Sequence, residues 1–261
     1  MINHDHVIHT ELLNIMKKIK PNNVFIGTAV LLTAFSCTRN TPKIDYNVEV
    51  DTVATPDDII RDTTKLLASE LPARFDSTNV LIYAVGLVDL EEKGGYRKIG
   101  SGSYSGSSGS GSYFHGDDLS GRYVNLVFED ETGARRMLTT SKMTITGSIF
   151  LRRIFNKTKR KFLLHFVYDR DTNGDGVFDG RDLEALYLSN IDGTSFRKIT
   201  KELHEFYDYR ILKDDSILYF RTLEDLNKDG KLNNKDRFHH YRLDLGNDEM
   251  HIEEYDPLDI F

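Results

Sequence analysis

A mainly β, antiparallel architecture follows from three features of this chain. Short runs rich in Val, Ile, Tyr, Phe and Leu recur from residue 79 onward, with a period of about two. Polar turn clusters separate those runs. One strand–loop–strand unit also occurs twice, at a shift of 54 residues. The 261 residues are 39% hydrophobic and 29% charged, an ordinary globular balance that suits one large domain or two small ones. Trp is absent, but 13 Tyr and 15 Phe supply aromatic bulk for a core. The net charge of −7 argues against a nucleic-acid partner, which needs a basic face to release counterions from phosphates.

The amino-terminal part reads as an export leader. Lys17, Lys18 and Lys20 precede an apolar run from Val24 to Phe35, closed by Ser36 and Cys37. That run is far shorter than the ~20 residues of a transmembrane helix. Thr33-Ala34-Phe35-Ser36-Cys37 resembles the lipobox of bacterial lipoproteins, with Ala34 where the strict pattern has Leu. Lipoproteins of the Bacteroidota accept such looser boxes. The resemblance implies lipidation (palmitate among the acyl groups) at Cys37, removal of residues 1–36, and a chain held on a membrane of the bacterial cell envelope by its acyl anchor. A buried apolar helix with a chance cysteine is the alternative. The single Cys excludes an intrachain disulfide. Met16-Lys17-Lys18-Ile19-Lys20 is a typical start for such a leader, so residues 1–15 read as an extension ahead of it. His4, Asp5, His6 and His9 look like a metal cluster but lie on the wrong side of the cut.

Residues 37–55 are polar and weakly periodic, and read as a tether. Thr55-Pro56-Asp57-Asp58 has the chemistry of a helix start: a capping hydroxyl, a first-turn Pro and acids near the positive end of the dipole. Ile59, Ile60, Leu66, Leu67 and Leu71 follow at loosely helical spacing, and Pro72 ends them. One amino-terminal helix near 57–70 is expected.

Strands are expected at 80–85, 123–128, 162–168, 217–221 and 241–245, with turns at 130–133, 190–193 and 246–248. Setting Asp171 against Asp225 aligns Phe162–Phe166 with Ser216–Phe220, and Tyr187 with Tyr241. A degenerate third copy takes Val80–Tyr83 and Tyr123–Phe128 as its strands and the Gly/Ser tract at 100–112 as its loop. The repeats span about 79–140, 161–200 and 215–255, within a domain of residues 56–261. Leu186-Tyr187-Leu188-Ser189-Asn190-Ile191-Asp192-Gly193-Thr194-Ser195-Phe196-Arg197-Lys198-Ile199-Thr200 resembles the strand–turn–strand of TolB-type β-propeller repeats, and Phe128–Thr139 echoes it. That resemblance implies antiparallel, propeller-blade-like repeats. About three copies fall short of a closed ring, so an incomplete or open array is expected.

Two acidic loops carry the chemistry. They are Asp171-x-Asn173-x-Asp175-Gly176-Val177-x-Asp179-x-x-Asp182 and Asp225-x-Asn227-x-Asp229-Gly230-Lys231-x-Asn233-x-x-Asp236. Both resemble the twelve-residue EF-hand calcium loop, in its dockerin variant with Asp at the last position. A hard dication takes six to eight oxygens at about 2.3–2.6 Å. Side chains at positions 1, 3 and 5 supply some, the carbonyl of Val177 or Lys231 at position 7 another, and positions 9 and 12 the rest. Phe178 and Leu232 at position 8 are expected to anchor each loop to the core. Two Ca2+ sites are thus expected, on strand flanks rather than helices. Simple Asx turns are the alternative reading, since Asp, Asn and Gly favour turns regardless. Loop 1 carries four acids opposed by Arg181. Loop 2 carries three, opposed by Lys228, Lys231 and Lys235, so loop 1 is expected to bind tighter. Asp169 either extends the shell of loop 1 or is simply solvated.

No nucleophile elbow, zinc-protease motif or phosphate-binding glycine pattern is present. His239 and His240 are adjacent, so a strand would point them to opposite faces. His204-Glu205 reads as a surface pair. Tyr104 and Tyr113 flank the Gly/Ser tract and could meet a sugar or a protein. The chain is therefore read as a non-catalytic, calcium-rigidified binding or scaffold module with a glycan or protein partner. The alternative is a calcium-dependent hydrolase of polysaccharide.

Overall fold

The structure, a computed structural model, describes residues 42–47, 65–89, 113–212 and 216–260. The leader, Cys37, the Gly/Ser tract at 100–112 and most of the tether lie outside the described residues. All described residues belong to one compact unit, Thr41–Phe261.

The chain runs through β1 (Lys65–Ser69), β2 (Leu81–Asp89), β3 (Tyr113–His115), β4 (Asp118–Tyr123), β5 (Asn125–Glu129) and β6 (Arg135–Met137). It continues with β7 (Thr144–Phe150), α1 (Arg152–Thr158), β8 (Phe162–Tyr168), β9 (Ala185–Asn190) and β10 (Arg197–Lys198). It closes with β11 (His204–Ile211), β12 (Ile217–Glu224), β13 (Arg237–Asp244) and β14 (Ile252–Tyr255).

Three open sheets result, with strand orders β1-β2-β5-β6, β10-β9-β8-β7-β4-β3 and β11-β12-β13-β14. Every recorded pairing of named strands is antiparallel. Strands mostly pair with their chain neighbours, as short turns dictate. The β3–β4 hairpin leaves the first sheet and extends the second along β7. The mainly β, antiparallel expectation therefore holds.

β8 shows why the layers stack. Its side chains alternate between two cores. Leu163 and Val167 join Phe75, Ile82, Leu126, Phe128 and Ile145 in one cluster. Phe162 and Leu164 join Leu218, Phe220, Tyr241 and Leu243 in the other. A strand buried on both faces reads as an unbroken apolar run, and Phe162-Leu163-Leu164-His165-Phe166-Val167 is one. The single polar member is His165, 0% exposed. Its Nδ1 lies 2.7 Å from Ser148 Oγ on β7, and its Nε2 lies 2.8 Å from Ser189 Oγ on β9. Ser189 Oγ donates to the Asn190 carbonyl at 2.8 Å, so it accepts from His165 Nε2–H, and Ser148 donates to Nδ1. Both ring nitrogens are satisfied with the ring neutral, and burial pushes its pKa down to about 3.

The expected strand pairs form as antiparallel partners: β8 with β9, β12 with β13, and β2 with β5 from Leu81↔Glu129 to Val85↔Asn125. The expected turns form. Gly193, at φ +78 in the Asn190–Thr194 turn, packs so closely on the Phe128 ring that a Cβ would sit 2.5 Å from it.

The amino-terminal helix needs correction. Residues 65–69, its predicted second half, form strand β1 along the edge of β2, with Lys65 opposite Asp89 and Ser69 opposite Val85. Residues 57–64 lie outside the described residues. Leu66 and Leu67 both remain largely exposed on this strand. The open edge of β2 supplies backbone partners that a short amphipathic turn cannot match. The helix found among the described residues is α1, between β7 and β8. It buries Ile154 and ends at Lys159 in the left-handed conformation.

Candidate metal sites

Loop 1 joins β8 to β9 and loop 2 joins β12 to β13, both on strand flanks as expected. The two loops share one hydrogen-bond scaffold. In loop 1, Asp171 accepts from the N–H groups of Asp175 (3.1 Å) and Gly176 (2.7 Å). In loop 2, Asp225 accepts from those of Asp229 (3.2 Å) and Gly230 (2.7 Å). Asn173 and Asn227 accept from the residue two further on, as do Asp175 and Asp229. Asp179 and Asn233 accept from Arg181 and Lys235. Asp182 accepts from Thr172, Asn173 and Asp179; Asp236 accepts from Leu226 and Asn233. Asn173, Asp175, Asn227 and Asp229 each take one backbone N–H, which leaves oxygen lone pairs for a hard cation, whereas Asp171 already accepts three N–H groups and Asp182 as many.

The loops differ in burial and in counter-charge. Asp182 is 0% exposed, and burial pushes its carboxyl up in spite of three N–H donors. Arg181 spans loop 1, meeting Asp175 at 2.7 Å and Asp179 at 2.9 Å. Its hydrogen bond holds the Asp179 carboxyl below the usual range. A guanidinium thus already sits between two predicted ligands. Phe178 and Leu232 are only half-buried and belong to neither core, which corrects their expected anchoring role. The buried Thr172, Asp182 and Leu183 fasten loop 1 instead. Asp169 is engaged outside the loop, accepting from Tyr187 at 2.8 Å and pairing with Lys198 at 2.7 Å.

Residues 42–47 lie across both loops. Lys43 and Ile44 donate their N–H groups to the Gly230 carbonyl at 2.7 and 3.2 Å. Asp45 N–H donates to Thr172 O at 2.7 Å, and Thr172 Oγ1 donates to Lys43 O at 2.7 Å. Gly230 is required for this approach: a Cβ there would lie 2.4 Å from Ile44 O. Burial and the Asp225 charge raise the Tyr46 hydroxyl to about 12. Lys43 also pairs with Glu205, whose carboxyl burial pushes upward.

A second kind of site was missed in the sequence. Among the described residues, one set of three ionisable ligand residues comes together within 4.8 Å: His204, Glu224 and His239. The loops bring no such trio of carboxylates together. Register explains the cluster. His204 on β11 pairs with Glu224 on β12, and His239 on β13 pairs with Thr222. His204 is 9% exposed, so it is no surface residue, and Glu205 on the opposite face meets Lys43. Burial, then the neighbouring His239, lower the His204 pKa. His239 and His240 do take opposite faces; His240 lies against Tyr255. The signal that could have found the site is the placement of His204, Glu224 and His239 at matching ends of consecutive strands. It needed β11, which the sequence reading did not include.

A cleft of about 650 Å³ opens between Phe150–Arg153 and Tyr209–Leu212. Its one lining carboxylate, Asp117, is held by Arg152 at 2.6 Å. Among the described residues, no helix is long and apolar enough to cross a membrane. No family model matches the chain, and no curated protein matches it significantly.

Proposed function

We propose that this chain is a calcium-binding module of the bacterial cell envelope, held to a membrane through lipidated Cys37 and serving as a non-catalytic binding or scaffold unit. The observation that carries the reading is the duplicate scaffold: two twelve-residue loops with matched side chains, matched backbone donors and matched places between strands. Repetition of the whole pattern is more than separate Asx turns require. The oxygen-only donor set fits a hard cation, and the left-handed Gly176 and Gly230 permit the sharp turn at position 6. The segment just downstream of Cys37 bonds to both loops, so ion binding would fasten the tether to the body. The antiparallel meander β11-β12-β13-β14, and the run β7-β8-β9-β10 within the second sheet, support reading propeller-blade-like repeats in an open array.

Calorimetry on the full chain tests the reading. Calcium should fill two sites with Kd near 10⁻⁴–10⁻³ M, the range of extracellular modules, adding about 0.4–1.4 kcal/mol per site at about 1 mM. No heat of binding, together with a thermal melt indifferent to chelator, would remove it.

A further inference from the structure

The core-facing side of β11, β12 and β13 does not stay apolar to its end. Beyond Phe220 and Tyr241 it carries Thr222, Glu224, His204 and His239. A ring nitrogen from each histidine and an oxygen of Glu224 lie within 4.8 Å of one another. His239 Nε2 is 2.8 Å from Glu224 Oε2. Its Nδ1 is 2.6 Å from Glu254 Oε1, and Glu254 in turn meets Lys201 at 2.6 Å. His204 Nδ1 is 2.9 Å from Thr222 Oγ1.

We propose that His204, His239 and Glu224 hold a divalent transition ion of the zinc class, at a site separate from the two oxygen loops.

Three arguments converge. The first is donor chemistry. Two imidazoles and one carboxylate suit zinc, whereas calcium takes oxygens. Ligands on a tetrahedral zinc at about 2.0–2.1 Å stand roughly 3.3 Å apart, so a trio within 4.8 Å needs only small side-chain closure. The second is the support behind the ligands. Metal-binding histidines characteristically give their other nitrogen to a carboxylate or hydroxyl, which fixes the ring. Glu254 stands behind His239, Thr222 lies against His204, and Lys201 steadies Glu254. The third is donor counting. A neutral imidazole carries one N–H, yet His239 faces a carboxylate with each nitrogen. An ion between Nε2 and Glu224 satisfies both atoms and leaves the single N–H for Glu254. Three protein ligands leave a fourth position, and Glu224, 37% exposed, places it at the solvent edge. Water or a donor from a bound ligand can fill it there.

The test uses the untagged full chain with His4, His6 and His9 changed to Gln. It is stripped with chelator and then kept in millimolar calcium so that the loops are filled. Zinc is titrated by calorimetry and cobalt by visible absorption. The expected result is one ion per chain, with cobalt d–d bands of a four- or five-coordinate nitrogen–oxygen site and no thiolate charge transfer. Glu224→Gln and His204→Gln should each weaken zinc at least about a hundredfold, and Glu254→Gln about 10–100-fold. All three should leave the calcium heats and the far-UV circular dichroism unchanged. If a histidine variant fails to fold, Glu224→Gln at the exposed edge decides alone. Absence of saturable zinc binding would overturn the proposal and leave His239 hydrogen-bonded between two glutamates. So would zinc binding that survives Glu224→Gln undiminished.

Discussion

Tyr46 donates its hydroxyl proton to Asp225 Oδ2 at 3.2 Å, tying the amino-terminal segment to the first residue of the second acidic loop. Asp225 is 3% exposed and serves its own loop through the N–H groups of Asp229 and Gly230. One carboxylate thus orders a turn and receives a distant stretch of chain.

Gly230→Ala and Gly176→Ala should differ sharply. Both glycines are left-handed, at φ +78 and +82, so each alanine carries about 1–2 kcal/mol of backbone strain. A Cβ at Gly176 meets nothing within 4 Å, whereas one at Gly230 meets Ile44 O at 2.4 Å. Gly230→Ala should therefore release residues 42–47 and lower the urea midpoint further. Limited proteolysis near residue 44 reads the release directly. Equal midpoints and equal cleavage would contradict the docking.

Asp182→Ala should be the more damaging of the two position-12 changes in calcium-free buffer. It strips acceptors from three N–H groups around a fully buried carboxylate, on the order of 3 kcal/mol. Asp236→Ala frees two exposed donors that water can satisfy, and should cost less than about 1 kcal/mol. Denaturant melts of both variants give the comparison.

Much of this fold was legible because β8 is apolar on both faces and β12 alternates buried Leu218 and Phe220 with half-buried neighbours. These strands and the Asn190–Thr194 turn announce themselves in composition alone. Strands β1, β7 and β11 did not. β1 borrows its order from the edge of β2. β7 is Thr-Ile-Thr-Gly-Ser-Ile-Phe, with small residues where a neighbour packs close. β11 is charged and bulged near Tyr207. The loops were readable because their Asp, Asn and Gly residues are contiguous. The histidine cluster was not, since it is assembled from three strands by register.

Arg181→Gln should tighten calcium at loop 1. The half-exposed guanidinium competes for Asp175 and for the buried Asp179, in two pairs worth about 0.2–1 kcal/mol each, so roughly a twofold to thirtyfold gain is expected. Calorimetry with Asp225→Ala as background isolates the loop. An unchanged or weaker Kd would show that Arg181 does not compete.

Loop 1 should also be the tighter site in the unaltered chain, since it gathers four acids against one cation. Asp171→Ala should remove more of the calcium affinity than Asp225→Ala. The reverse order in titrations of the two variants would refute the ranking.

His165 should make the protein acid-sensitive. Its folded pKa, about 3, lies below the ordinary 6.5, so the unfolded chain binds the extra proton first. Stability is complete above about pH 6.5 and falls toward pH 3 by roughly 1.4 kcal/mol per unit. Glu184 and Glu205, raised by burial, tilt the other way, losing stability as pH climbs through their shifted range. The difference between wild type and His165→Gln, followed by urea melts across pH, isolates the histidine. Parallel curves would show that the ring titrates freely.

Residues 42–47 touch both hairpins at once, through Gly230 on one side and Thr172 on the other. A pull on the chain from ahead of Pro42 would therefore arrive at two anchor points together. Tension divides between them, and neither must rupture before the other begins to resist.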